Sequence, residues 1–169
     1  MKPVIWRSGL VLLIAMLSGC SSPSVEEPTA SAGNALHGMD LSLASEAQAA
    51  EIRDNKVDAS EYRAAFQRFR ECLSAAGYEL GQVELKHAMY EFAMPDAAVQ
   101  SGAEKKCYHA EFNFVDILWQ TSDGVQNGSQ ETQHLRDCLR KRGVEPGDTR
   151  AKVDMQMREE GVTLRDCFR

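Results

Sequence analysis

Between Tyr62 and Ala76 the apolar residues fall at helical spacing. Tyr62, Ala65, Phe66, Phe69, Cys72, Leu73 and Ala76 share one stripe of a 3.6-residue repeat. Asp58-Ala59-Ser60-Glu61 precedes the stripe with the spacing of a capping box, in which Asp58 accepts from the Glu61 amide and Glu61 reaches back. Gly77 follows as a stop. Upstream, Asp40 to Arg53 carries a weaker apolar face of Leu41, Leu43, Ala47, Ala50 and Ile52, a helix that breaks at Asn55-Lys56. Downstream the period changes to two. Val83 and Leu85 alternate with polar neighbours, as do Tyr90, Phe92 and Met94, and the parity switches between the two runs. This pattern predicts a hairpin within Tyr78–Pro95 that turns near Lys86–Met89, although no Asn-Gly or Asp-Gly marks the turn.

Asp96 to Gln120 reads as the longest helix and the centre of the fold. Val99, Ala103, Cys107, Ala110, Phe114 and Leu118 form one stripe, and Tyr108, Phe112, Val115 and Trp119 form a second beside it. Ser122 to Ser129 is expected to be a polar loop with turns at Asp123-Gly124 and Asn127-Gly128. Ser129 can cap a helix to Arg142 with Leu135, Cys138 and Leu139 inward. A further helix runs from about Thr149 to Glu160 around Val153 and Met157, and Thr163 can cap a last turn. These elements predict an α+β fold, mainly helical: a small disulfide-stapled helical domain with one short β-hairpin.

The staples come from an internal echo. Arg70-Glu71-Cys72-Leu73-x3-Gly77-Tyr78 matches Arg136-Asp137-Cys138-Leu139-x3-Gly143-Val144, and Arg165-Asp166-Cys167-Phe168 repeats its start. Of the five cysteines, the four that follow Cys20 (Cys72, Cys107, Cys138 and Cys167) allow three connectivities. The echo suggests two helical units, each stapled by its own bridge, and so favours Cys72–Cys107 with Cys138–Cys167.

Composition excludes several classes of function. The formal charge is −6, and an acidic domain argues against nucleic acid, whose binding depends on phosphate neutralisation. The histidines are His37, His87, His109 and His134. His134 and Cys138 stand at i, i+4 and could face one metal, but oxidised cysteines remove that option, so no metal and no cofactor is expected. Gly-rich phosphate loops, G-x-S-x-G elbows and H-E-x-x-H motifs are absent, and no catalytic residue is assigned. Glu111 and Asp116, read as sharing one helix, are expected to be solvated charges rather than an acid/base pair.

The beginning of the chain carries a different signal. Lys2 and Arg7 precede an apolar run from Gly9 to Leu17, followed by Ser18, Gly19 and Cys20. A run of nine residues spans about 14 Å as helix, too short to cross a bilayer but sufficient for an export signal. Leu17-Ser18-Gly19-Cys20 resembles the lipobox of bacterial lipoproteins. The cysteine echoes add a resemblance to small four-cysteine lipoproteins of high-GC Gram-positive bacteria, which carries no activity. The lipobox resemblance implies cleavage between Gly19 and Cys20 and lipidation of Cys20, with acyl chains such as palmitate. Cleavage would remove two basic and no acidic residues and move the formal charge from −6 to −8.

The chain thus divides into a signal peptide at 1–19, a flexible tether at 20–39 and one extracytoplasmic domain at 40–169. Localisation on the extracytoplasmic face of the cell membrane follows, or on the outer membrane in a cell with two. The expected function is a non-catalytic binding or scaffolding module, with an envelope protein or wall polymer as partner and Tyr90 and Phe92 on the hairpin as candidate binding residues. An envelope hydrolase using carboxylates is the alternative.

Overall fold

The structure, a computed structural model, describes residues 35–168. The signal stretch 1–19, Cys20 and the tether as far as residue 34 lie outside the described residues. Described backbone begins with a turn in which Leu36 is already buried in the core, inside the stretch read as tether. The helix expected over Asp40–Arg53 is replaced by a 3-10 turn at Leu41–Leu43 and a short α1 at Glu46–Glu51, capped by the Ser45 hydroxyl. Leu41 and Leu43 point outward, while Ile52 is buried.

Helix α2 (Ala59–Ala75) begins at the expected capping box, with Asp58 accepting from the Ser60 and Glu61 amides and Glu61 accepting from the Asp58 amide. It buries Tyr62, Ala65, Phe66, Phe69 and Leu73. Strands β1 (Gly81–Lys86) and β2 (Met89–Ala93) form one antiparallel pair, with Leu85 opposite Tyr90 and Lys86 opposite Met89. The turn residues His87 and Ala88 both have positive φ, 49° and 65°. Primed hairpin turns demand this, and Asn or Gly usually supplies it. Here tertiary contacts hold it instead: the Ala88 carbonyl accepts from the Trp119 indole at 2.6 Å, and His87 Nε2 lies 2.9 Å from Gln130 Nε2.

The long helix expected over Asp96–Gln120 is three helices: α3 (Asp96–Gln100), α4 (Ala103–Glu111) and α5 (Asn113–Gln120). Gly102, at φ 78°, separates the first two, and Phe112, at φ −139°, separates the second two. The second break turns α5 into the core. Its Phe114, Val115, Asp116, Leu118 and Trp119 are all buried, whereas α4 buries only Cys107. The expected polar loop at Ser122–Ser129 is also helical: α6 (Asp123–Gly128) is capped by Ser122 and anchored by buried Val125. Helices α7 (Gln130–Lys141), α8 (Arg150–Glu159) and α9 (Leu164–Cys167) follow, led by Ser129, Thr149 and Thr163 as the sequence suggests.

Two apolar clusters result. The larger takes side chains from α2 to α6 and the hairpin, together with Leu36, Ile52 and Val57. The smaller joins Leu135, Cys138, Leu139, Val153, Met157, Val162 and Cys167. One disulfide belongs to each: Cys72–Cys107 ties α2 to α4, and Cys138–Cys167 ties α7 to α9. With sequence separations of 35 and 29, each restricts the unfolded chain by about 3.5–4 kcal/mol on a loop-entropy account. The echo marks matching helix ends. The Tyr78 amide donates to Leu73 O at 2.9 Å, and the Val144 amide donates to Leu139 O at 3.1 Å, each across a glycine in the left-handed region. This hydrogen bond closes a helix over an apolar contact.

At Gly143 an added Cβ would meet nothing within 4 Å, so only backbone conformation opposes a side chain there. Gly143→Ala should therefore lower stability by about 1 kcal/mol in denaturant unfolding. Gly128→Ala, at a helical position that is equally open, should be neutral or slightly stabilising.

Candidate functional site

The break between α4 and α5 would leave carbonyls and amides unsatisfied in the core. Gln48 of α1, fully buried, supplies what they lack. Its Nε2 donates to His109 O at 2.9 Å and Ala110 O at 2.7 Å, and its Oε1 accepts from the Phe114 amide at 2.8 Å and the Val115 amide at 3.3 Å. Ser45 adds to the same join: its amide donates to Ala110 O at 2.7 Å, and its hydroxyl donates to Glu111 Oε2 at 2.8 Å. Arg68 of α2 then bridges Glu111 and Glu51. The start of the domain is thereby locked against α4.

Beyond the break, α5 carries Asp116 inward. This carboxylate, expected to be solvated, is 7% exposed. Burial is tolerable because phenols satisfy both oxygens: Tyr108 Oη donates to Oδ2 at 2.6 Å and Tyr62 Oη donates to Oδ1 at 3.3 Å. Tyr62 Oη in turn accepts from the Tyr90 amide at 3.2 Å, so the acid, α2 and the hairpin share one network. Burial, with the Asp116 charge second, pushes the ionisation of both Tyr62 and Tyr108 well above the ordinary tyrosine range. Among the described residues no buried side-chain nitrogen or oxygen lacks a partner. Glu111 lies on α4 and pairs with Arg68, so it does not converge with Asp116 as an acid/base pair.

The other candidates are dispersed. Tyr90 and Phe92 are half-buried on α2, with the Tyr90 ring 3.8 Å from Phe66 and the Phe92 ring 5.5 Å from Phe66. They seat the hairpin on the core. What the hairpin leaves open is the outer edge of β1, where Leu85 is exposed beside the Glu84–Lys86–Glu91 ion cluster. His134 stacks on Phe168 and lies 2.7 Å from Cys167 O, while Cys138 is oxidised. Among the described residues no group of three His, Cys, Asp or Glu side chains could hold a metal ion.

Two surface concavities among the described residues are mainly apolar, and the smaller lies beside the Cys72–Cys107 disulfide. The larger, a groove of about 480 Å³, lies between the 3-10 turn and α4, lined by Ser42, Leu43, Gly102, Lys105, Lys106, His109 and Ala110. Sequence reasoning missed it, because Leu43 reaches α4 only through the long-range Gln48 and Ser45 contacts. Comparison with protein-family models, curated proteins and solved structures found no match.

The buried network has a pH signature. Tyr62 and Tyr108 hold their protons more tightly folded than unfolded, so their contribution is complete below about pH 10 and is lost as pH rises beyond it. Alkaline titration followed by phenolate absorbance should show the Tyr62 and Tyr108 steps delayed until the domain unfolds. Tyr108→Phe should remove one delayed step. It should also destabilise the domain by about 1–3 kcal/mol, because Asp116 stays buried with one donor fewer.

Proposed function

We propose that this chain is a bacterial lipoprotein whose disulfide-stapled domain is a non-catalytic binding or scaffolding module of the cell envelope. One observation carries the reading: Leu17-Ser18-Gly19-Cys20 directly follows a basic start and an apolar run too short to span a bilayer. Two disulfides support it independently, since such bonds persist in oxidising compartments outside the cytoplasm. No helix among the described residues is long and apolar enough to cross a membrane, so attachment would rest on the lipid. Two or more acyl chains suffice, at about 0.8 kcal/mol per buried CH₂.

The proposed partner is an envelope protein or a wall polymer, and the outer edge of β1 is the place on the hairpin for it. A short unpaired edge can accept a strand, and the bulge between Gly81 and Glu84 confines the usable length to Glu84–Lys86. Tyr90 and Phe92 would act by holding that edge in place. Truncating either to Ala should cost about 2–4 kcal/mol, so partner loss in those variants alone would not locate the surface.

The anchor is tested by mass spectrometry of the protein from its native membrane. The expected result is a thioether-linked diacylglyceryl group on Cys20, with Cys20→Ala released or retained as uncleaved precursor. Soluble wild-type protein without the lipid would contradict the reading. Crosslinking on intact cells tests the module: a reproducible partner lost in Leu85→Asp supports it. Turnover of a wall-derived substrate that dies with one carboxylate substitution would replace it with the hydrolase.

A further inference from the structure

Met39, Leu41 and Leu43 are three large apolar side chains exposed within five residues, at 37%, 43% and 52%. Burial elsewhere in the domain does not need them, and they form or directly precede the 3-10 turn at Leu41–Leu43 by which the chain enters the domain. Fourteen residues separate Cys20 from Ala35. Even fully extended, that length holds Ala35 within about 50 Å of the anchor. A tethered surface meets the bilayer at high effective concentration, so weak attraction is enough to dock it.

The groove beside this turn supplies the attraction. Lys105 and Lys106 are exposed on α4, and neither makes an ion pair among the described residues. Leu43 and Ala110 give the same groove an apolar floor. Asp40 on the same stretch keeps its negative charge, because the Ser42 amide at 3.0 Å and the Ser42 hydroxyl at 2.6 Å stabilise the carboxylate, so the two lysines face one opposing charge there. Basic residues near an anionic leaflet are attracted, while the net acidic remainder of the domain is repelled. The two effects favour one orientation, with α4 and the entry turn toward the lipid.

We infer that the face formed by Leu41, Leu43, Lys105 and Lys106 docks on the anionic surface of the membrane in which Cys20 is anchored. This rests on the lipoprotein reading. The apolar turn enters the headgroup boundary and the two ammonium groups meet lipid phosphates, so the hairpin and the second cluster are presented in a fixed direction.

Mature, lipidated full-chain protein reconstituted in vesicles tests the inference. The vesicles contain phosphatidylglycerol with brominated acyl chains, and Leu43→Trp is compared with Leu164→Trp, an exposed position in the second unit. Buried Trp119 provides the same background in both. The expected result is bromine quenching and a blue shift at position 43 and little change at position 164. Adding Lys105→Glu and Lys106→Glu should lower the ratio of docked to undocked protein by roughly tenfold or more at low salt. Equal quenching at the two positions, in protein that floats with the vesicles, overturns the docking face and leaves the anchor standing. Protein that does not float and carries no lipid on Cys20 overturns both. A photo-crosslinker at position 43 that captures protein rather than lipid in native membranes also overturns the docking face.

Discussion

The side-chain amide of Gln48 holds the domain together at its weakest backbone point. A helix interrupted inside a core exposes donors and acceptors that water cannot reach, and each left unpaired costs roughly 1–3 kcal/mol. Gln48 meets two carbonyls and two amides at once. Glutamate or leucine at this position could not do both. Because the break is satisfied, α5 can turn inward and bury Phe114, Leu118 and Trp119, while α4 stays at the surface.

Other features follow from that division. With α5 inside, Trp119 reaches the Ala88 carbonyl and fixes a hairpin turn that lacks glycine. Asp116 comes to lie between Tyr62 and Tyr108, and the Tyr62 hydroxyl extends the network to β2. With α4 outside, Cys107 still faces α2 for its disulfide, and Lys105 and Lys106 remain exposed. Since Gln48 and Ser45 bind the end of α4, the entry turn is carried alongside it. A structural clamp thus builds the groove to which we assign membrane docking.

Features determined locally were legible in the sequence. The Asp58–Glu61 box, the Ser129, Thr149 and Thr163 starts and the Gly77 and Gly143 stops depend on residues within one turn. The cysteine pairing was legible because matching helix ends repeat around it. The interruption at Phe112 was not, since its cause, Gln48, lies more than sixty residues away. Helix α6 was hidden by Gly124 and Gly128, whose low helix propensity is outweighed by the Ser122 cap and Val125 burial. Burial of Asp116 was equally invisible, because Tyr62, one of its two phenol partners, is fifty-four residues distant. The proposed anchor is a linear signal, whereas the groove exists only after α1 has packed on α4.

Hydrogen exchange at single amides addresses the clamp directly. The amides of Phe114 and Val115 stand at the start of α5, where helix amides ordinarily exchange fast. If Gln48 Oε1 holds them, both should exchange only through global unfolding, with protection equal to that of the central amides of α2. Exchange of these two amides at the rate of a frayed helix start, in otherwise protected protein, would contradict the account.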